Sequence, residues 1–259
     1  MKKRIASIAL SLAMCLTLLP TAAYAEDVSE GGAFDSQSST GNSEAVAGNE
    51  EGNTALYSGS GTESDPYQIS TADGFYAFAR WYNGTSNIGT SNNRYIYAEL
   101  TADIDLNEGF TFTERGYTGD GKPREWKPIS SKDVFPTYSG EFNGNGHTIS
   151  GLYISEDKTT ALTTGLFGYF QGYLHDVKIE NSYISSKSPC TGAFAGVVHG
   201  KIENCTAEAV VYSGAQASEH IDISGTGGIV GNLHDLKSEV LNCTFSGSVS
   251  SDKNPYVGG

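Results

Sequence analysis

Three acidic residues near the middle of the chain are the first candidates for chemistry. Asp103 and Asp105 are two residues apart in an alternating segment, so both carboxylates are expected on one side of a strand, next to Glu99. Such a set could bind Ca²⁺ or supply the acid and base of a glycosidase. A hard cation needs about six to eight oxygen ligands, and the sequence has no second acidic cluster at a suitable spacing. We therefore interpret the three residues as a solvated acidic surface.

The histidines give a weaker signal. His147 follows Asn145-Gly146 in a predicted turn, where a hydrogen-bonding role is favoured over that of a general base. The other four are scattered and form no His-Glu-x-x-His pair of the zinc proteases: His175, His199, His220 and His234. The sequence also contains no Gly-x-Ser-x-Gly nucleophile elbow and no phosphate loop. We predict no catalytic residue, no cofactor-binding residue, no metal ligand and no cofactor.

Two cysteines follow an asparagine in a repeated marker. Stacked strands would place Cys205 and Cys243 about 4.8 Å apart, and a disulfide requires Cα atoms roughly 4.4 to 6.8 Å apart. The parallel side-chain directions in a stack disfavour a bridge, however, and small thiols fill an apolar interior well. We favour two reduced, buried cysteines and leave the bridge open. Cys190, in a loop with a proline, has no evident partner.

A repeat must position these residues. Gly165-Leu166-Phe167-Gly168 returns as Ala193-Phe194-Ala195-Gly196 and Gly228-Ile229-Val230-Gly231, and begins again at Val257-Gly258-Gly259. Each full copy precedes a second marker: Ile179-Glu180-Asn181-Ser182, Ile202-Glu203-Asn204-Cys205 and Val240-Leu241-Asn242-Cys243. Spacings of 28 and 35 residues are typical of a supersecondary unit that stacks on its neighbours. We expect the three marker asparagines at equivalent turns, hydrogen-bonded within their turn or to the next one.

Short alternating runs between the markers predict strands. Val177 and Ile179 alternate with charged residues, and Gly, Ser, Asn and Asp separate the runs. We therefore predict an all-β chain of stacked parallel strands from about residue 94, a β-solenoid with four side chains inward: Val177, Ile179, Ile202 and Val240.

The glycine-bounded marker, with the following Ile-Glu-Asn-Ser and two Asn-Cys-Thr copies, resembles the GLUG motif of bacterial surface and secreted proteins. The upstream segments Leu100–Leu106, Trp126–Ile129 and Phe142–Ile149 resemble the region that leads into such repeats. The resemblance runs from about Gly59 to the last residue. It implies a right-handed parallel β-helix (solenoid), often a stalk or spacer in a larger surface protein, and no particular reaction.

The N-terminal region carries a secretion signal. Residues 1–25 combine a basic start, a short apolar core and Ala23-Tyr24-Ala25, as in a secretory signal peptide. Residues 26–58 are acidic, contain no Lys or Arg and predict a disordered linker. Cleavage would leave 13 of the 16 basic residues against 30 acidic ones, a net charge of −17. Binding to nucleic acid or insertion into a membrane after cleavage is therefore not expected.

Residues 59–139 are predicted to cap the stack. They contain a strand at Tyr67–Ile69, and a capping box at Ser70–Asp73 begins an amphipathic helix that ends near Asn83-Gly84 and covers the open end. A single long strand follows, with alternate apolar residues on one face: Ile96, Ala98, Leu100, Ala102, Ile104 and Leu106. Residues 107–139, with Trp126 and Phe135, predict a loop folded on the flank.

Residues 140–259 are predicted to be the GLUG-type repeats, with an insertion near 213–226 and a C-terminus truncated within a repeat. We expect a secreted or cell-surface module, a spacer or adhesive surface with no catalysis of its own, which binds host or cell-surface glycans or proteins and continues into further domains. The alternatives are a glycan-active β-helix enzyme, such as a polysaccharide lyase or glycoside hydrolase, and the repeat region of a larger surface protease. A binding module would use exposed tyrosines: Tyr138, Tyr153, Tyr169 and Tyr183.

Overall fold

The computed structural model describes residues 56–84, 95–130, 137–156, 162–215, 224–252 and 256–258. The predicted signal peptide at 1–25 and linker residues 26–55 lie outside these ranges, as do Phe135 and His220.

Strands dominate the described residues, with one helix, α1, at Ala72–Gly84. The strands are β1 Tyr67–Ile69, β2 Tyr95–Leu100, β3 Ile104–Asp105, β4 Thr111–Thr113, β5 Gly116–Thr118, β6 Ser139–Asn143, β7 Thr148–Ser150, β8 Tyr153–Ser155, β9 Thr163–Thr164, β10 Phe167–Phe170, β11 Tyr173–His175, β12 Lys178–Ser186, β13 Cys190–Thr191, β14 Ala195–Val198, β15 Lys201–Glu203, β16 Thr206–Ser213, β17 Gly225–Gly227, β18 Val230–Leu233, β19 Glu239–Leu241, β20 Thr244–Ser251 and β21 Val257–Gly258.

Four parallel sheets collect these strands. Their orders are β1-β2-β6-β11-β15-β19, β10-β14-β18, β20-β16-β12-β7-β3 with β8 also on β12, and β21-β17-β13-β9. From β10 onward the chain visits the four sheets in the same order three times, so each sheet gains one strand per repeat. The hairpin β4–β5 is antiparallel. The prediction of an all-β chain of parallel strands is confirmed.

The glycine-bounded markers pair as predicted. Phe167 lies opposite Ala195, and Ala195 opposite Val230, which gives the offsets of 28 and 35 residues read from the sequence. The second marker was assigned wrongly in its first copy. Ile202 pairs with Leu174, and Ile179 pairs with Ala207. The segment equivalent to Ile202–Cys205 is therefore Leu174–Val177.

A ladder of left-handed residues marks the corner that follows these strands. Asp176, Asn204 and Asn242 have φ angles of 54°, 54° and 52°. The amide of Asn204 donates to the Asp176 carboxylate at 3.3 Å, and the amide of Asn242 donates to the Asn204 side-chain oxygen at 3.2 Å. The predicted turn role is confirmed for Asn204 and Asn242. It is wrong for Asn181, which lies at a bulge of β12 between Ile179 and Ser182.

The interior between the sheets is mainly apolar, with buried hydroxyl groups that bond one another at Thr164, Ser186 and Ser188. Val177, Ile179 and Ile202 are fully buried, as predicted, and Val240 is half-buried against the same core. Large side chains fill the rest of the interior: Phe142, Phe167, Phe170, Leu174 and Phe194.

Helix α1 covers part of this core with aromatic rings. The Phe75 ring centroid lies 4.7 Å from that of Trp126 and 5.8 Å from that of Phe142. The helix begins one residue later than the predicted box implies, because the Thr71 hydroxyl accepts a hydrogen bond from the Gly74 amide at 3.1 Å. Asp73 instead pairs with Arg124 at 2.8 Å.

The predicted long strand is two strands in different sheets, because the chain turns a corner at residues 101–103. β2 belongs to the first sheet and β3 to the third. The apolar residues predicted to lie on one face are buried except Ala102, which is half-exposed in the turn. The predicted loop after it contains the hairpin β4–β5, and Trp126 is buried with its indole nitrogen donating to the Leu166 carbonyl at 3.1 Å.

Glycines on the first sheet allow close backbone contact. A side chain at Gly172 would overlap the carbonyl oxygen of Gly140, and one at Gly200 would overlap that of Gly172. We expect Gly172→Ala to lower the free energy of unfolding by about 1 to 3 kcal/mol, since backbone atoms must move apart. Urea unfolding measures this. The control is Gly84→Ala at the helix end, where the space is open and the change should stay within about 0.5 kcal/mol. Equal losses in both variants would contradict the packing argument.

Candidate functional site

The three predicted acidic residues each bind a different neighbour. The Asp103 carboxylate accepts from the Thr148 amide at 2.9 Å and lies 3.1 Å from Nδ1 of His147. These hydrogen bonds lower the pKa of Asp103. The predicted hydrogen-bonding role of His147 is confirmed.

Asp105 and Glu99 also accept hydrogen bonds from nearby residues. Asp105 accepts from the Asn107 amide at 3.0 Å, and Glu99 accepts from the Asn145 side chain at 3.1 Å. The corner at residues 101–103 separates β2 from β3, so the expectation that one strand carries all three residues is wrong. Asp103 and Asp105 are exposed, in agreement with the predicted solvated surface. Within the described residues, no group of three or more His, Cys, Asp or Glu side chains is arranged to hold a metal ion.

A different polar cluster lies on the outward face of the first sheet, across β6, β11 and β15. Register places Tyr173 between Glu141 and Lys201, and His175 beside Glu203. The Tyr173 hydroxyl donates to Glu203 at 2.6 Å, and the Lys201 ammonium donates to the same carboxylate oxygen at 2.7 Å. The Tyr173 and His175 rings stack at 4.3 Å.

His175 lies between two further carboxylates. Its Nδ1 is 2.7 Å from Asp176, and its Nε2 is 3.2 Å from Glu141. The side chain of His175 is 12 % exposed, so the imidazole is largely shielded from solvent. Neighbouring strands therefore bring the carboxylates of Glu141, Asp176 and Glu203 together around His175 and Tyr173.

The electrostatics of this cluster keep Tyr173 protonated and keep Glu203 and Asp176 ionised. The hydrogen bond to Glu203 raises the pKa of Tyr173 to about 12, so the phenol keeps its proton. Lys201 lowers the pKa of Glu203, and His175 lowers that of Asp176. A general acid at neutral pH needs a raised carboxyl pKa. Ionised Glu203 and Asp176 do not meet that requirement.

Sequence reasoning missed this cluster, although the sequence contains a signal for it. Glu141, Tyr173 and Lys201 follow one another at 32 and 28 residues, close to the spacing of the repeats. Aligning the chain at that period would have brought them together. Aligning Ile179-Glu180-Asn181 with Ile202-Glu203-Asn204 instead leaves β11 without its true partner, β15.

The three cysteines among the described residues, Cys190, Cys205 and Cys243, form no disulfide with one another. Cys205 is buried and Cys243 is half-exposed, one position before the paired Thr206 and Thr244. Each thiol donates to a backbone carbonyl, Cys205 to Glu203 and Cys243 to Leu241, both at 3.2 Å. Interaction between the two neighbouring thiols raises the pKa of buried Cys205 and lowers the pKa of Cys243 to about 7. Cys190 is buried, which raises its pKa to about 12.

The four tyrosines proposed for binding divide into two pairs. Tyr138 and Tyr153 are buried, so they cannot present a ring to a ligand. Their burial has a direct cause: Tyr138 stacks on Phe170 at 5.6 Å and Tyr153 stacks on Phe112 at 5.5 Å. Tyr169 and Tyr183 are half-buried and remain accessible in part.

Comparison with known proteins gives two sequence relatives. The chain is 31% identical over 160 residues to "Halomucin" of Haloquadratum walsbyi, which covers 61% of this chain and 2% of that protein. It is 30% identical over 154 residues to a "Putative Gly-rich membrane protein" of Evansella cellulosilytica, which covers 58% of this chain and 15% of that protein. The chain thus spans only a small part of these relatives. No family model matches it.

One solved structure is similar in fold. It is described as a "putative immunoglobulin A1 protease" from Bacteroides ovatus, with a TM-score of 0.50 and 21% sequence identity over 74% of this chain and 60% of that one. At this identity the likeness concerns the fold alone. Among the described residues of our chain, no helix is long and apolar enough to cross a membrane.

The hydrogen bonds to Asp103 predict a pH-dependent stability. The folded pKa of Asp103 lies below its unfolded value. Its stabilisation is therefore complete above about pH 4 and is lost as the pH falls through the folded pKa. We expect Asp103→Asn to lower the thermal midpoint at neutral pH, with a difference from wild type that shrinks in acid. The control is Glu108→Gln, at an exposed position nearby. A difference that grows in acid would contradict this prediction.

The cysteines should differ in reactivity. We expect Cys243 to react first with Ellman's reagent in the folded protein, with a rate that rises around pH 7, because the thiolate is the nucleophile. Cys190 should react only after unfolding, since it is buried and its pKa is raised. Cys243→Ser should abolish the fast phase. A fast phase that survives this substitution would show that another thiol is the reactive one.

Proposed function

We propose that this chain is a right-handed parallel β-helix of the GLUG type, secreted or exposed at the cell surface, that serves as a spacer and adhesive surface without catalysis of its own. The observation that carries the proposal is the threefold passage of the chain through four parallel sheets in one order. Stacked repeats of this kind form long, stiff shapes with extended lateral surfaces.

Two facts support the solenoid and its hand. Each of the four sheets adds one strand per repeat, and every pairing among them is parallel, including β12 with β16 and β16 with β20. Crossover connections between parallel strands of one sheet are right-handed in about 98% of cases. A chain wound this way exposes the outer faces of all its sheets, which provides lateral surface for binding.

The surface location has three supports. The N-terminal sequence has the form of a secretory signal peptide. One relative is named a membrane protein, and both relatives are much longer than this chain. The formal net charge of −14 is suited to solubility outside the cell and unsuited to nucleic-acid binding. We further propose that the module belongs to a longer chain and binds glycans or proteins of the host or of a cell surface.

The absence of catalysis is proposed from the polar cluster on β6, β11 and β15. It contains the residue types of an acid–base site, but Tyr173 and Lys201 both donate to Glu203, and His175 lies between Glu141 and Asp176. These pairs satisfy one another within the protein. The second candidate function is a glycan-active enzyme, and the stacking of Tyr173 on His175 beside three carboxylates is the observation that favours it.

Activity measurements separate the two functions. We expect purified mature protein to cleave no member of a panel of neutral and acidic polysaccharides and proteins, because the charged groups of the cluster are already paired. Turnover that persists in wild type and disappears in His175→Gln and Tyr173→Phe would establish the enzyme instead. The control is His234→Gln, at an exposed position outside the cluster.

Surface exposure is tested on the cells that produce the protein. Antibodies against the mature chain should label intact cells or the culture medium, and protease added outside should remove the label. Label that appears only after lysis would overturn the proposed location. This readout is independent of any ligand.

A further inference from the structure

A groove lies on the outward face of the third sheet, beside the hairpin β4–β5. It has a volume of about 520 Å³, within the range of roughly 300 to 1,000 Å³ that is usual for ligand pockets. Five of its eight lining residues carry a hydroxyl group: Tyr183, Ser185, Tyr212, Ser248 and Ser250. Glu114, Val210 and Val249 complete the lining. It is separate from the polar cluster, which lies on the first sheet.

The parallel register places these side chains. Tyr183 of β12 pairs with Val210 of β16, which pairs with Ser248 of β20. Two residues further on, Ser185, Tyr212 and Ser250 form the next row. Because alternate residues of a strand face the same side, both rows point outward. The two tyrosines therefore lie diagonally on adjacent strands, with hydroxyl groups around them.

The turn of the hairpin lines one side of this groove through Glu114, and Asn181 holds the hairpin in place. The Asn181 side chain donates to the Phe110 carbonyl at 2.9 Å and accepts from the Phe112 amide at 2.9 Å. Asn181 has a φ of 43° and lies at the bulge of β12. A bulge can redirect a side chain out of the regular alternation. This pair of bonds positions the loop that carries Glu114.

Stacked rings fix the orientation of Tyr183. Phe112 of the hairpin stacks on Tyr153 at 5.5 Å, and Tyr153 stacks on Tyr183 at 6.1 Å. Tyr212 is held at its other end, where its hydroxyl donates to Asp252 at 2.7 Å. Both half-buried tyrosines are therefore preorganised, and a ligand would lose little affinity to ordering them.

We propose that this groove binds an uncharged, hydroxyl-rich glycan chain. The inference rests on the proposed role of the chain as a binding surface and assigns that role to one site. Flat aromatic rings suit the C–H faces of sugar rings, and serine hydroxyls and the Glu114 carboxylate can hydrogen-bond sugar hydroxyls.

Charge and strand pairing argue against other ligands. Glu114 is acidic and the chain carries a net charge of −14, so an anionic polysaccharide would be repelled. A peptide would gain most by adding a strand to a free sheet edge. β12 and β16, which supply the tyrosines, already have strands on both sides.

Affinity electrophoresis of the mature protein in gels that contain neutral polysaccharides tests the proposal. The probes are soluble β-glucan, α-glucan, xylan and mannan, with an anionic polygalacturonate as comparison. We expect wild type to be retarded by at least one neutral glycan and not by polygalacturonate. Tyr183→Ala and Tyr212→Ala should each weaken binding at least about tenfold, as loss of a central aromatic contact does.

Three further variants separate the loss of an aromatic contact in the groove from other effects of substitution. Tyr212→Phe keeps the ring, loses the bond to Asp252 and should bind within about threefold of wild type. Tyr169→Ala removes a half-buried tyrosine from another sheet and should bind as wild type does. Asn181→Asp loses the donor to Phe110 and should bind more weakly without losing the circular dichroism spectrum of the fold.

Several results would overturn the assignment. The first two are the absence of retardation by any neutral glycan and equal retardation by polygalacturonate. The third is an equal loss of glycan binding in Tyr169→Ala and Tyr183→Ala. The fourth is Tyr183-dependent binding of an extended peptide together with glycan binding that does not depend on Tyr183. None of these results would affect the labelling of intact cells. Failure of the groove and failure of the proposed surface role are therefore distinguishable.

Discussion

The parallel hydrogen bonding between successive repeats is the interaction on which the rest of this structure depends. Parallel strands allow the same position of each repeat to stack, so a favourable residue at one corner is repeated along the whole corner. The left-handed corner shows this well, because Asp176, Asn204 and Asn242 share one backbone conformation. The side chain of Asn242 donates a hydrogen bond to that of Asn204, which donates in turn to Asp176. Register, turn and core are thus fixed together, and a shift of one strand would break all three.

Most of this arrangement could be predicted from the sequence because stacking makes it periodic. The glycine-bounded markers predicted the offsets of 28 and 35 residues, and both are confirmed. The error at Asn181 arose because Ile179-Glu180-Asn181 matches Ile202-Glu203-Asn204 in residue type. The 28-residue offset of the neighbouring marker would have selected Leu174-His175-Asp176. Backbone pairing decides register, and similarity of three side chains does not override it.

The candidate sites were harder to predict, for a physical reason. The cluster around His175 needs three strands in register, and the intervals that separate them differ, since loops of unequal length join the strands. The groove depends on a contact between Asn181 and a hairpin some 70 residues earlier. A contact of that separation leaves no periodic trace. The burial of Tyr153 was missed for the same reason, because Phe112 of the hairpin covers it. Tyr138 is covered by Phe170, its register partner in the next repeat, at the same 32-residue interval that separates Glu141 from Tyr173.

The two polar surfaces differ in what they leave for a ligand. On the first sheet the strands of successive repeats pair in regular register. Opposite charges two residues apart on one strand bind one another there, as Lys201 and Glu203 do. On the third sheet the bulge at Asn181 interrupts the regular register, and the side chain that it releases binds a hairpin instead of the next strand. Local departures from a regular pattern cost stability and tend to occur at functional sites. The regular face therefore stabilises the stack, whereas the interrupted face is where we propose that a glycan binds.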